Sequence, residues 1–111
     1  MPDFKLFTQK YIAFRDARDW AQYQRPKDAS LSLMLEATEV LELFQWKTDE
    51  QAMQAIAHNP EKLADELADV MGMVLILAHD CNIDLVAALE HKLAKHAIHP
   101  SNGVVQQYRE L

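Results

Sequence analysis

Two pairs of acidic residues stand at a spacing that could hold a metal ion. Glu36 and Glu39 form one pair, and Glu66 and Asp69 form the other. On an α-helix, residues three apart lie about 60° from each other round the axis, so both carboxylates of a pair project from one face. The neighbours of both pairs are mostly apolar, which predicts that the carboxylates face inward. Because an uncompensated buried carboxylate is costly, we expect a cation between them.

The donor set indicates which cation this is. All the proposed ligands are carboxylate oxygens, which suit Mg²⁺, with Mn²⁺ as the alternative, better than Zn²⁺. Since Mg²⁺ in proteins commonly takes substrate phosphates as further ligands, a phosphorylated substrate is expected. Another explanation is that these acids form ion pairs with Lys or Arg on neighbouring helices. The sequence has no Glu-x-x-His pair, no Gly-rich phosphate loop and no Gly-x-Ser-x-Gly elbow, so di-iron, P-loop and hydrolase-elbow chemistries have no support.

The elements that position the acids are predicted to be helices. Only two Gly and four Pro occur, and no segment alternates with period two, so the fold class is all-α. Short connections predict an antiparallel bundle of four main helices and one short helix. The expected helices cover about 4–24, 28 or 30 to 47, 48–58, 61–81 and 85–98. In the first, Phe4, Phe7, Tyr11, Phe14 and Ala17 are expected to form one buried stripe.

Local signals mark several helix ends. Thr48 and Gln51 are placed to form a capping box at the start of the short helix. Asn59 followed by Pro60 predicts the start of the next long helix, and Asn82 with Asp84 predicts its end and the following cap. The apolar stretch 70–78 is too short to span a membrane, so it is expected to be a buried core helix.

Composition limits the broad class of the protein. The chain of 111 residues has 11 basic and 17 acidic residues, a net charge of −6, which argues against binding to nucleic-acid polymers or anionic membranes. We expect one domain, 1–111, with its core over about 4–98 and a tail at 99–111. A single cysteine, Cys81, and the lack of a signal pattern predict a cytoplasmic protein. The apolar excess on the acid-bearing helices predicts a homo-oligomer.

An ordered set of motifs resembles a known family. It consists of Arg-Asp-Trp at 18–20, the first acidic pair, Glu-Leu-Phe-Gln-Trp-Lys-Thr-Asp at 42–49 and the second acidic pair. The set resembles the MazG-like all-α nucleoside triphosphate pyrophosphohydrolases, and within them the dCTP pyrophosphatases. The likeness covers about 14–69 and continues more weakly to Pro100. Met73 stands where the dCTP-cleaving proteins tend to have tyrosine, and Leu35 where many MazG-like proteins have a further acid.

The resemblance implies an activity and roles for particular residues. The reaction would be Mg²⁺-dependent cleavage of a (deoxy)nucleoside triphosphate, dCTP or a related or modified dNTP, to the monophosphate and pyrophosphate, in nucleotide-pool house-cleaning. The resemblance also implies a tetramer, or else a dimer. The metal ligands would be Glu36, Glu39, Glu66 and Asp69, with Glu39 chosen as the catalytic residue that orients water. Trp20 and Trp46 match the aromatic residues that line the base pocket. Lys47, Lys92 and Lys95 are further substrate-binding candidates that could reach the phosphates, and the resemblance favours Lys95 among them.

Other interpretations of these residues remain open. The two Trp residues could instead be core aromatics. The three Lys residues could be ordinary solvated side chains. A non-catalytic helical module that binds nucleotides or another protein is the alternative function, although an interaction module gives no reason for four inward acids.

Overall fold

The computed structural model describes residues 2–98, and this part of the chain is helical apart from its connections. Five α-helices occur: α1 (Pro2–Ala17), α2 (Pro26–Glu42), α3 (Asp49–His58), α4 (Pro60–Asp80) and α5 (Leu85–Ile98). No strand is found within 2–98. The predicted all-α class, with four main helices and one short helix, is confirmed. The tail expected at 99–111 lies outside the described residues.

Helix α4 is the centre of the fold, since it packs against α1, α2 and α3. Its second half carries most of the buried positions: Gly72, Leu75, Ile76 and Ala78. The stretch 70–78 is buried or half-buried throughout, so the prediction of a core helix is confirmed. Between α4 and α5 the chain bends by 105°. No single helix among 2–98 has the length and apolar character needed to cross a membrane; α4 and α5 meet that test only jointly, as this bent pair.

Helix α1 is shorter than predicted. It ends at Ala17, and a separate 3₁₀ turn follows at Trp20–Tyr23, so the expectation of one helix to residue 24 is wrong. The cause is Asp19, whose φ of 54° lies in the left-handed region. Asp tolerates the left-handed conformation better than most residues do. A residue in that conformation cannot continue a right-handed α-helix.

The buried face of α1 also differs from the expected apolar stripe. Phe7, Phe14 and Ala17 are exposed, whereas Arg15 is only 7% exposed. The Arg15 guanidinium donates to Asp80 Oδ2 at 2.7 Å and so joins α1 to the end of α4. This hydrogen bond raises the pKa of Arg15. Burial by itself raises the pKa of Asp80, but hydrogen bonds from Arg15 and His79 outweigh it and lower that pKa on balance.

Helix α2 starts earlier and ends earlier than predicted. It begins at Pro26 and not at residue 28 or 30, because proline suits the first turn of a helix. It ends at Glu42 and not near residue 47. Beyond Glu42 the backbone bonds reach back three residues, as from Phe44 N to Leu41 O and from Lys47 N to Phe44 O. These tight turns interrupt the α-helical register before Trp46.

The remaining predicted helix signals are confirmed. Thr48 and Gln51 form the capping box at the start of α3, each side chain accepting from the other residue's backbone N–H. Pro60 opens α4. Asn82 adopts a left-handed φ of 55°, and Asp84 Oδ1 accepts from Ala87 N at 3.1 Å.

Candidate active site

The packing of α2 against α4 brings the two acidic pairs into one cluster. Each of Glu36, Glu39, Glu66 and Asp69 offers a carboxylate oxygen, and these oxygens lie within 4.8 Å of one another. Glu36 and Glu66 are half-buried, while Glu39 and Asp69 are exposed. The i,i+3 spacing places each pair on the side of its helix that faces the other helix. The structure therefore assembles the predicted cluster, but the expectation that all four carboxylates face inward holds only for Glu36 and Glu66, because Glu39 and Asp69 lie at the solvent-exposed side of the packed helices.

Burial and crowding raise the pKa of the two half-buried carboxylates, Glu36 and Glu66. Burial, followed by the charges of Glu39 and Asp69, raises the pKa of Glu36. A hydrogen bond with Glu39 is the largest cause of a raised pKa at Glu66, and burial and the neighbouring charges add to it. Within the part of the chain that the structure describes, these four acids take part in no ion pair with Lys, Arg or His. The alternative in which Lys or Arg neutralises the cluster is therefore not found there.

The cluster has the properties of a site for a hard cation. The Oε2 atoms of Glu36 and Glu66 are shielded from solvent and have no hydrogen-bond partner in the described chain. A shielded carboxylate oxygen without a hydrogen-bond partner is stabilised by a nearby positive charge. A set of carboxylate oxygens within 4.8 Å of one another suits Mg²⁺ or Mn²⁺. The residues present therefore fit a divalent ion.

A cavity of about 170 Å³ adjoins the acid cluster. Glu36 and Asp69 form part of its wall. The other lining residues come from α1, the 3₁₀ turn, the connection to α2, and α4: Tyr11, Phe14, Arg15, Trp20, Gln24, Gly72, Met73 and Ile76. The cavity thus combines an aromatic wall with access to the acids.

Gly72 makes room for one part of the aromatic wall. A Cβ atom at this position would lie 2.9 Å from Cε1 of the Tyr11 ring, closer than such contacts occur. The absence of a side chain therefore lets the Tyr11 ring approach α4 closely. Sequence reasoning placed Tyr11 in the core stripe and did not single it out as a cavity residue.

Trp20 is held at the edge of the cavity by its neighbours. Its ring meets the Phe14 ring edge to face, with 5.7 Å between centroids. The Arg18 guanidinium stacks on the Phe14 ring, with its central carbon 3.4 Å from the ring centroid. Trp20 remains 42% exposed, so it is neither a fully buried core residue nor a free surface side chain.

The other predicted substrate residues do not line this cavity. Trp46 is 87% exposed, so it is no core aromatic of the described chain. It also lies outside α2, because the helix expected to reach residue 47 ends at Glu42. Lys47 donates from Nζ to Leu43 O at 2.9 Å and lines a separate cavity of about 150 Å³. Lys92 and Lys95 are exposed on α5 and are not among the cavity residues.

Comparison with known proteins places the chain in a family. The family model described as MazG-like matches residues 31–111, a range that includes all four clustered acids. The chain belongs to the MazG-like family. This MazG-like chain is 31% identical to rat dCTP pyrophosphatase 1 over 116 residues, which cover 99% of the chain and 68% of the rat protein. It is 32% identical to human dCTP pyrophosphatase 1, with 99% of the chain and 68% of the human protein covered.

A solved structure is similar to the MazG-like chain as well. The crystal structure of a pyrophosphatase from Archaeoglobus fulgidus superimposes with a TM-score of 0.75 at 29% sequence identity. The match covers 79% of this chain and 82% of the archaeal chain. The helical arrangement described above is therefore shared with a MazG-like pyrophosphatase fold.

Proposed function

We propose that this protein is a Mg²⁺-dependent nucleotide pyrophosphohydrolase that cleaves a deoxynucleoside triphosphate, dCTP or a close analogue, to the monophosphate and pyrophosphate. The observation that carries the proposal is the cavity of about 170 Å³ whose wall includes Glu36 and Asp69 of the acid cluster. A nucleotide with its base in this cavity would have its phosphates next to the carboxylates. Family membership and the named relatives support the same activity.

The cavity has room for a pyrimidine base. A cavity of about 150 Å³ lined by apolar side chains holds a benzene ring. A space of about 170 Å³ beside Trp20 and Tyr11 therefore has room for one six-membered base. Aromatic side chains bind bases by stacking, which every base allows, so polar groups must provide the choice among pyrimidines.

The clustered acids have a defined part in this reaction. Glu36, Glu39, Glu66 and Asp69 would hold Mg²⁺, which supplies positive charge that offsets the charge on the phosphoryl oxygens. Glu39 is an exposed member of the cluster, and its carboxylate would orient the attacking water. Trp20 would position the base, and thereby the triphosphate, against the acids.

A pyrophosphate-release assay tests the proposal. The substrates are dCTP, dUTP, dTTP, dATP and dGTP with Mg²⁺, and dCTP is expected to be cleaved best. Glu39→Gln is expected to abolish turnover without unfolding the chain, since it removes a charge and keeps the shape. Asp65→Asn, an exposed change on α4 outside the cluster, is the matched control and should retain full activity. Nucleotide binding without turnover would favour a non-catalytic module.

The identity of the ion can be tested in the same assay. Mg²⁺ and Mn²⁺ are expected to support turnover and Ca²⁺ is not, because Ca²⁺ is larger and takes more ligands in looser geometry. Equal rates with Ca²⁺ would show that compact octahedral coordination is not required.

We also propose that the protein assembles into a homo-oligomer, a tetramer in preference to a dimer. Large apolar side chains are exposed on α2 and α5, including Leu31, Met34, Leu35, Leu89 and Leu93. Such surface is unusual on a monomer and favours association. Light scattering coupled to size-exclusion chromatography measures the assembled mass, and a monomer at micromolar concentration would contradict the proposal.

A further inference from the structure

Gln24 occupies a fixed position in the connection between α1 and α2. Its backbone N–H donates to Ala21 O at 3.1 Å, which ties it to the 3₁₀ turn that carries Trp20. Two residues later Pro26 opens α2. The side chain is half-buried and lines the cavity next to Trp20. Its carboxamide is therefore held beside the space assigned to the base.

The carboxamide oxygen of Gln24 has no role in holding the fold together. Gln24 Oε1 is shielded from solvent and receives no hydrogen bond within the described chain. A buried acceptor without a donor destabilises the folded state, and an apolar side chain of similar shape would avoid that cost. Because Gln24 lines the cavity, a ligand bound there can supply the missing donor to this oxygen.

Building on the proposed function, we infer that Gln24 determines which pyrimidine is cleaved. Gln24 Oε1 accepts a hydrogen bond from the exocyclic amino group at position 4 of a cytosine stacked beside Trp20. Uracil and thymine carry a carbonyl oxygen at that position, which places an acceptor against an acceptor. A site whose buried polar group is left unpaired by the wrong substrate discriminates strongly against it. Gln24 therefore selects amino-bearing pyrimidines.

The test compares dCTP with dUTP, which differ at position 4 of the base. In Gln24→Met, a change of similar shape without hydrogen-bonding groups, kcat/KM for dCTP is expected to fall by about tenfold, the value of one hydrogen bond. The value for dUTP should stay the same or rise, so the preference for dCTP shrinks. The Tm should be unchanged or higher, because the variant removes an unpaired buried acceptor. If Gln24 had a purely structural role, Gln24→Met would instead lower the Tm and reduce kcat/KM for dCTP and dUTP alike.

A control variant separates this effect from a general loss of glutamine. Gln54 is exposed on α3 and lines none of the cavities described above, so Gln54→Met should leave both kcat/KM values unchanged. If wild-type protein cleaves dNTPs but Gln24→Met keeps its dCTP to dUTP ratio, the role of Gln24 is overturned while the proposed function stands. If wild-type protein cleaves neither nucleotide, the proposed function and the role of Gln24 both fall.

Discussion

Removing one charge from the acid cluster should stabilise the metal-free protein. In Glu36→Gln the variant keeps the shape of the side chain but loses one carboxylate of a group whose oxygens lie within 4.8 Å of one another. Two unit charges at that separation repel by roughly 1 kcal/mol in a water-like dielectric and by roughly 3.5 kcal/mol at an effective dielectric constant of 20. Because Glu39 and Asp69 are exposed, the water-like value applies.

The size of the effect follows from the number of neighbours. Glu36 faces the three other carboxylates, so its charge costs roughly 2 to 3 kcal/mol before screening. Screening by salt reduces this to about 1 to 2 kcal/mol. We therefore expect the Tm of Glu36→Gln in EDTA near neutral pH to exceed that of the wild type by about 4 to 10 °C.

The gain should depend on pH in a defined direction. The folded chain holds the Glu36 proton more tightly than the unfolded chain, because burial and neighbouring charges raise its pKa above the ordinary value of 4.5. Between that value and the raised pKa the folded state binds more protons, so the free energy of unfolding of the metal-free wild type falls as pH rises. The advantage of Glu36→Gln should therefore be small below the ordinary value and complete above the raised pKa.

Adding Mg²⁺ should reverse the comparison. A ligand that binds only the folded state raises the Tm with its concentration, and the variant has lost one of the ligands that would hold the ion. Differential scanning fluorimetry with and without Mg²⁺ measures both effects, with Asp65→Asn as the control for loss of an exposed acid on α4. If Glu36→Gln melts below the wild type in EDTA, the cluster stabilises the fold and the repulsion argument is refuted.

Three further substitutions test the role of Trp46, the ion pair between Arg15 and Asp80, and the contact between Gly72 and Tyr11. Trp46→Ala should change the free energy of unfolding by less than about 0.5 kcal/mol, because the side chain is 87% exposed. If Trp46 stacks on the base, Trp46→Ala should raise KM about tenfold. An unaltered KM would show that Trp46 takes no part in substrate binding. Asp80→Asn leaves the buried Arg15 with only its 3.4 Å contact to Asp16. It should cost about 2 to 3 kcal/mol in urea unfolding, below the range for fully buried pairs because the Asp80 side chain is 20% exposed. A loss of unfolding free energy no larger than that of a typical surface substitution would contradict this expectation for Asp80→Asn. Gly72→Ala gains about 1 kcal/mol of helix propensity, but displacing the Tyr11 ring costs about 1 to 3 kcal/mol, so a net loss and a higher KM are expected. A stabilised variant with normal KM would show that the ring moves freely.

The acid cluster was predictable because its determinants are local. The spacing of Glu36 with Glu39 and of Glu66 with Asp69 fixes the face that each pair shares, and the apolar neighbours indicate that these faces pack together, as α2 and α4 do. Helix ends that depend on one residue were predictable for the same reason. Pro60 starts α4 because its missing N–H costs nothing in the first turn.

Features that depend on distant contacts were not predictable in this way. Arg15 turns inward because Asp80, 65 residues later, supplies its partner. The break of α1 depends on a left-handed Asp19, a conformation that Asp adopts only in some contexts. Gln24 and Tyr11 become cavity residues through the way α1 and the 3₁₀ turn pack on α4, and no periodic pattern marks them in advance.

The four clustered acids lie within α2 and α4 and not in the chain that connects these helices. Their arrangement therefore does not depend on the length of that connection. Helix packing fixes the distance from α2 to α4, while residues 43–59, which include α3, form no part of the cavity beside the acids. We therefore expect a reporter peptide inserted between α2 and α3, outside both acid-bearing helices, to leave the four carboxylates where they are.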